Sequence, residues 1–360
     1  MKDESEETSQ RKIEHVMIAK QDDVDLSTSG SWFDHVMLLH YALPDASFDD
    51  VDLTWRFLGY ELKAPLIIEG MTGGHEATLP INEALAEAAQ LVGIAIGVGS
   101  QRAALTNGSV VNTYSIVREK ASDVPVIANL GISHVLGEEG PENAKRAVDM
   151  IDADALAIHM NALQELLQPE GSTDFSNSLI AIRDVVRELD VPVIVKEVGA
   201  GISLSVAKYL VDVGVRIIDV AGVGGTSWAL IEGERSPEGS IKREASRRFA
   251  DWGIPTPLAI LEVSRLNATI IGSGGVRSGL DAAKCIALGA EAAGAARPFF
   301  VRALEGGVEG VVRELKSFIY EMKIATFLTG SITPQQLRLT RKYVLTGPLK
   351  SLLDERHIFI

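Results

Sequence analysis

The stretch Thr269-Ile-Ile-Gly-Ser-Gly-Gly-Val-Arg-Ser-Gly279, continuing through Leu280–Leu288 to Ala293-Gly-Ala-Ala-Arg-Pro-Phe-Phe300, reads as one repeating unit. A short apolar run ends in a glycine-rich turn, an amphipathic segment follows, and a second apolar run comes next. Buried parallel strands read as continuous apolar runs because both of their faces are covered. Similar runs occur upstream at Pro65–Met71, Ile94–Ser100, Pro125–Gly131, Ala155–Met160, Pro192–Val198 and Ile217–Gly222; Thr269–Gly275 and Ala293–Phe300 bring the total to eight. Helical rhythm separates many of them, at Asn82–Val92, Ala144–Ile151, Ser178–Leu189, Ser203–Val213 and Gly279–Leu288. Eight strands alternating with helices predict an α/β fold, a (β/α)8 barrel, whose active site gathers at the C-terminal ends of the strands.

The composition suits that expectation. The chain has 360 residues, 46% of them hydrophobic, enough for one large core. A formal net charge of −15 argues against non-specific nucleic-acid binding, which needs clustered Lys and Arg. The single cysteine, Cys285, excludes an intrachain disulfide framework and suits a reducing compartment. No apolar run approaches the ~20 residues of a membrane span, so a cytoplasmic protein without a membrane partner is expected. The reading divides the chain into a disordered tail (1–10), a lid or plug (11–60), the barrel (61–345) and a C-terminal tail (346–360). Within the barrel, 223–268 is an insertion after the sixth strand. Its charged part, Glu232–Arg247, is broken by Gly233, Pro237 and Gly239 and is expected to be a mobile active-site segment. Val311–Gly330 reads as an amphipathic helix that covers the barrel or contacts another subunit.

Chemistry is sought at the strand ends. The turn Gly272–Gly279 and the run around Ala295, Ala296 and Arg297 follow strands seven and eight. Barrels often bind a phosphate there on backbone N–H groups and a helix N-terminus. Met71-Thr-Gly-Gly, Gly99-Ser-Gln-Arg and Asn129-Leu-Gly end the first three strands, and Gly222–Trp228 follows the sixth. Lys196 in the fifth strand is costly to bury unless paired. It either contacts a carboxylate or faces an anionic ring or phosphate. His159-Met-Asn161-Ala-Leu-Gln164-Glu165, after strand four, offers oxygen and nitrogen donors suited to a hard cation such as Mg²⁺, which takes one or two carboxylates plus phosphate oxygens. Arg11-Lys12, ahead of the barrel, is either exposed surface or, with Arg102, a diphosphate clamp. There is neither a zinc-type Cys/His cluster nor a P-loop motif.

Taken in order, Arg11-Lys12-x-Glu14-His15, Met71-Thr-Gly-Gly, Gly99-Ser-Gln-Arg, Asn129-Leu-Gly, His159-x-Asn161-x-x-Gln164-Glu165, Lys196-Glu-Val-Gly, Gly224-Gly-Thr-Ser-Trp and Gly274-Gly-Val-Arg resemble the type 2 isopentenyl-diphosphate isomerases. The resemblance runs from Arg11 to about Ala303. It implies FMN held by Met71, Thr72, Gly73, Ser100, Asn129, Lys196 and Thr226, with its phosphate on Gly274, Gly275, Arg277, Ala295 and Ala296. It implies isopentenyl diphosphate gripped by Arg11, Lys12, Ser100, Gln101, Arg102 and Gln164, with Mg²⁺ on Glu165. His159 and Asn161 would add polar contacts on the substrate side. Since no cysteine or carboxylate pair stands out for the proton transfers, reduced FMN is expected to act as acid and base without net redox change. NAD(P)H would serve only to reduce it. The family's tendency to form tetramers and octamers implies a homo-oligomer. Two alternatives remain: an FMN-dependent 2-hydroxy-acid oxidase or dehydrogenase, and a non-catalytic flavin-binding barrel. The oxidase needs a histidine base near strand seven, and after Arg265 the first histidine is His357.

Overall fold

The computed structural model describes residues 4–26 and 31–356, with side chains from residue 11 onward. Eight parallel strands close into a barrel in chain order: β1 (Leu66–Ile68), β2 (Ala95–Gly97), β3 (Val126–Gly131), β4 (Ala155–His159), β5 (Val193–Lys196), β6 (Ile217–Asp219), β7 (Thr269–Gly272) and β8 (Ala292–Ala295). β8 completes the ring on β1, with Ala293 opposite Leu66 and Ala295 opposite Ile68. The strands are rich in Ala, Ile and Val because the barrel interior covers one face and the helices cover the other. All six residues of β3 are buried.

The helices start and stop where local chemistry dictates. Ser203 and Ser278 accept hydrogen bonds from Val206 N (3.3 Å) and Asp281 N (3.1 Å), capping Leu204–Asp212 and Gly279–Leu288. Gly93, at φ +78°, ends Leu79–Val92 in the left-handed conformation that a β-carbon disfavours.

The expected lid or plug (11–60) contributes to both ends of the barrel. A hairpin pairs Trp55–Phe57 with Tyr60–Leu62. Tyr60 OH donates to Asp154 Oδ1 (2.9 Å) just before β4, so the hairpin covers the N-terminal end. The helix Glu4–Ala19 lies over the opposite mouth.

The other boundaries differ from the sequence reading. The tail expected over 1–10 is helical from Glu4, residues 1–3 being outside the described residues. The insertion 223–268 is built of the helices Trp228–Arg235, Ile241–Arg248 and Thr256–Val263. Polar contacts hold its charged part: Ser246 Oγ donates to Arg243 O, and Arg243 pairs with Glu234 at 2.5 Å. The C-terminal segment forms the helix Gly347–Glu355, whose Leu349 and Leu353 are buried one turn apart. β8 stops at Ala295, and Arg297 opens the long helix Arg297–Leu328, which bends at Gly307 (φ +54°). This helix buries Leu315, Phe318 and Met322 and packs on Leu79–Val92, so it covers the barrel. Among the described residues, no helix is long and apolar enough to cross a membrane.

Candidate active site

A cleft of about 1210 Å³, counting space open to solvent, occupies the C-terminal mouth. It is lined by Arg11, Lys12, Met71, Ser100, Arg102, Asn129, His159, Asn161, Gln164, Glu165, Lys196, Thr226, Gly274, Gly275, Arg277, Ala295 and Ala296. Three residues expected there lie behind its wall. Thr72 presents its carbonyl to Gly99 N (3.0 Å) and Asn82 Nδ2 (3.2 Å). Gly73, at φ +136°, backs onto Tyr114, whose Cε1 would lie 2.2 Å from an added β-carbon. Gln101 is fully buried, donating to Ala147 O (2.8 Å) and accepting from Asn129 N (2.9 Å). Its amide braces β3, which removes it from the clamp as a side-chain ligand.

One end of the cleft is cationic. The helix Glu4–Ala19 buries Arg11 and Lys12 beside Arg102. Lys12 Nζ donates to Ser100 O at 3.3 Å, Arg11 Nη1 lies 3.5 Å from Glu170 Oε1, and Arg11 Nε is buried without a partner. Burial, then Arg11 and Arg102, hold the Lys12 ammonium down to about 7. Burial and the same cations hold His134 to about 4, so it is neutral here. Confining like charges this closely disfavours them until an anion arrives. An entering anion raises the Lys12 value again, so binding above about pH 7 takes up a proton. Calorimetric titration of inorganic pyrophosphate at about pH 8, in buffers of different ionisation enthalpy, is expected to show that uptake. It is also expected to show weaker binding as pH rises.

Next to the cations, β4 delivers the hard-cation donors. Asn161 Nδ2 donates to Gln164 Oε1 (3.2 Å) and Glu165 Oε1 (3.1 Å), while Ser172 N donates to Glu165 Oε2 (2.7 Å). Asn161 Oδ1 is buried without a partner. A carboxylate and an orphaned carbonyl oxygen fit Mg²⁺ that shares further oxygens with a phosphate. Among the described residues, no three His, Cys, Asp or Glu side chains converge on a metal position. His159 Nδ1 lies 2.8 Å from Asn129 Oδ1 and is held to about 3, chiefly by burial. It is a neutral hydrogen-bonding group.

The far end is made of glycine backbone. Added β-carbons at Gly225 and Gly275 would lie 2.5 Å from Gly275 N and 2.3 Å from Gly224 O, respectively. The turns after β6 and β7 therefore close on each other only as glycines. Gly274 and Gly275 also need positive φ, +97° and +78°. The helix Gly279–Leu288 follows, and Arg277 pairs with Asp25 at 2.8 Å. Glycine N–H groups beside an arginine make a seat for a phosphate.

Comparison with known proteins decides among the remaining readings. The family profile of FMN-dependent dehydrogenases matches residues 117–344. The isopentenyl-diphosphate delta-isomerase of Methanothrix thermoacetophila is 47% identical over 357 residues, covering 98% of this chain and 97% of its own. That of Methanococcoides burtonii is 45% identical, covering 97% and 96%, and that of Pseudescherichia vulneris is 44% identical, covering 94% and 97%. The chain belongs to the isopentenyl-diphosphate delta-isomerase family. Solved structures with the same fold include a mandelate oxidase mutant with benzaldehyde (TM-score 0.62, 18% identity, 91% of each chain). Mandelate oxidase with benzoyl-formic acid is another (TM-score 0.60, 17% identity, 91% and 90%).

In this family member, several residues in the cleft and behind its wall go beyond those picked from the sequence. Glu232, fully buried, accepts from His15 Nε2 (3.0 Å), Gln164 Nε2 (2.8 Å) and Arg235 Nη1 (2.6 Å). Arg235 also reaches Glu14 (2.9 Å) and Glu170 (3.0 Å), tying the N-terminal helix to the insertion. His134 stands beside the cations. Glu69 and Asp219 flank Lys196 at 3.4 and 3.0 Å, so the lysine has the carboxylate contact that the sequence left open. They are also the carboxylate pair that the sequence did not reveal. Glu69 carried the same kind of signal as Lys196, a charge inside an apolar run.

Proposed function

We propose that the protein interconverts isopentenyl diphosphate and dimethylallyl diphosphate, with FMN and Mg²⁺ as its cofactors. The observation that carries this reading is two separate anion seats in one cleft. Glycine backbone and Arg277 suit a flavin phosphate, and three cations under the N-terminal helix suit a diphosphate. Gly274, Gly275, Ala295 and Ala296 would hold the FMN phosphate. Met71, Ser100, Asn129, Lys196 and Thr226 would border its ring and chain, with Thr72 and Gly73 shaping the wall behind.

The substrate's hydrocarbon end offers no polar handle, so Arg11, Lys12, Ser100 and Arg102 bind the diphosphate. Glu165 and the Asn161 carbonyl would hold Mg²⁺ between protein and phosphate oxygens. Gln164, fixed by Glu232, lies with His159 and Asn161 along the substrate side. FMN in its reduced form would supply proton exchange and stabilise the cationic character that develops on the tertiary carbon. NAD(P)H would be needed only beforehand, since the isomerisation itself has no net redox change. None of the cleft histidines, His15, His134 and His159, follows β7, where a 2-hydroxy-acid oxidase would need its base. We further propose a cytoplasmic homo-oligomer, tetramer or octamer. Met37 and Val344, paired on a two-stranded ladder, expose apolar surface suited to a second copy.

An anaerobic assay with isopentenyl diphosphate, omitting FMN, Mg²⁺ or reductant in turn, tests the reading. Each omission is expected to abolish product. Full activity with oxidised FMN under air would overturn the flavin role. Glu165→Gln is expected to raise the Mg²⁺ requirement and lower activity about 10–100-fold, by the scale of disturbed metal sites. FMN affinity, read by flavin fluorescence, is expected to stay unchanged.

A further inference from the structure

The floor of the cleft holds a set of buried ionisable groups. Glu69 follows β1, Lys196 ends β5 and Asp219 ends β6, with Lys196 and Asp219 opposite each other in the ladder. Lys196 Nζ lies 3.0 Å from Asp219 Oδ2 and 3.4 Å from Glu69 Oε2. From the turn after β7, Ser273 Oγ donates to Asp219 Oδ1 at 2.6 Å. On β8, Gly294 makes room for Glu69, since a β-carbon there would meet Glu69 Oε1 at 2.4 Å. β3 and β4 contribute Asn129 and the neutral His159. Glu69 and Lys196 line both the cleft and a smaller cavity inside the barrel, so the group forms the partition between them.

The charge balance is uneven. Two carboxylates against one ammonium would leave a net negative charge in a buried, weakly solvated place. Proteins relieve that arrangement by keeping one carboxyl protonated, and two carboxylates in contact then titrate as a pair. Lys196 Nζ draws Glu69 Oε2 and Asp219 Oδ2 to the same place, at 3.4 and 3.0 Å, and Asp219 Oδ2 is buried with no hydrogen-bond partner beyond that ion pair. Burial and the Asp219 carboxylate push the Glu69 carboxyl up, against the pull of Lys196. Lys196, despite burial, is pushed up by both carboxylates and stays an ammonium.

We propose that Glu69 and Asp219 share one proton and, with Lys196, form a charge-neutral triad that presents the lysine ammonium to the flavin seat. Glu69 and Asp219 are positioning residues in this arrangement. The shared proton stands on the protein alone, and only the effect on flavin rests on the proposed FMN site.

Infrared spectra of FMN-free and FMN-loaded protein at neutral pH test the proton. A carboxylic-acid C=O band is expected in the wild type, and either Glu69→Gln or Asp219→Asn is expected to remove it. Each single amide leaves one carboxylate facing Lys196, so the midpoint potential of bound FMN is expected to match the wild type. The double amide leaves the ammonium unbalanced and is expected to raise the potential. Absence of the acid band in the wild type would overturn the proposal, as would a single amide that raises the potential as far as the double. Failure of the wild type to bind FMN would count against the flavin reading, while the infrared result still decides the shared proton.

Discussion

Arg11→Ala or Lys12→Ala is expected to lower kcat/KM for isopentenyl diphosphate about 10–100-fold, and the double substitution by roughly a thousandfold. A hydrogen bond to a charged group contributes about 1.5–3 kcal/mol, and about 1.4 kcal/mol is a factor of ten. Each cation opposes the other in the empty cleft, so a single loss is partly offset by a stronger survivor, and the double loss is expected to be at least the product of the singles. Most of it should appear in KM, because a diphosphate is bound equally in the ground and transition states. FMN binding, at the glycine end, should be untouched. Arg11→Ala carries a second signature. It removes a cation that holds the Lys12 ammonium down to about 7, so the proton uptake at about pH 8 should shrink. A KM unchanged in both single variants would remove the clamp from the account.

The second large effect is expected at Glu232. Burial alone would raise its carboxyl, but His15, Arg235 and Gln164 override it and hold it to about 2. Glu232→Ala leaves Arg235 buried with one partner fewer and frees both His15 and Gln164. Breaking a buried pair from one side costs about 3–5 kcal/mol, which corresponds to roughly 10²-fold to several thousandfold if it falls on the closed lid. Activity should drop on that scale, and amide exchange in residues 11–19 should accelerate because the helix loses its anchor. The same network sets an acid limit. A carboxyl lowered in the folded state stabilises it fully above the unfolded value of 4.5 and loses that contribution as pH falls toward about 2. Lid exchange should therefore speed up across that window in the wild type and change little there in Glu232→Ala. Unaltered exchange in the variant would show that Glu232 does not anchor the helix.

The barrel was legible because a two-sided strand leaves a one-dimensional mark, a short apolar run, and eight of them recur. The polar ends of those runs gave most of the cleft lining. Other features follow contacts that sequence spacing does not encode. Gln101 follows the second strand between two cleft residues, Ser100 and Arg102, yet its side chain turns back to Ala147 and Asn129. Gly73 builds the wall because Tyr114 occupies the space behind it, and Thr72 because its carbonyl is held by Gly99 N and Asn82 Nδ2. The insertion looked mobile because its part Glu232–Arg247 is charged and broken by glycine and proline, and its order comes from partners distant in sequence, such as Glu14 and Glu170 on Arg235. Two further signals stand in the sequence itself. Leu349 and Leu353 are spaced as a buried helical face, and Glu69 stands inside the first apolar run.

The most direct test of the account is the ratio of dimethylallyl diphosphate formed to NAD(P)H consumed by the FMN- and Mg²⁺-loaded protein under anaerobic conditions. Isomerisation without net redox change predicts many product molecules for each NAD(P)H oxidised, with consumption stopping once the flavin is reduced. Consumption in step with turnover, or no dimethylallyl diphosphate from a fully reduced, metal-loaded protein, would contradict it.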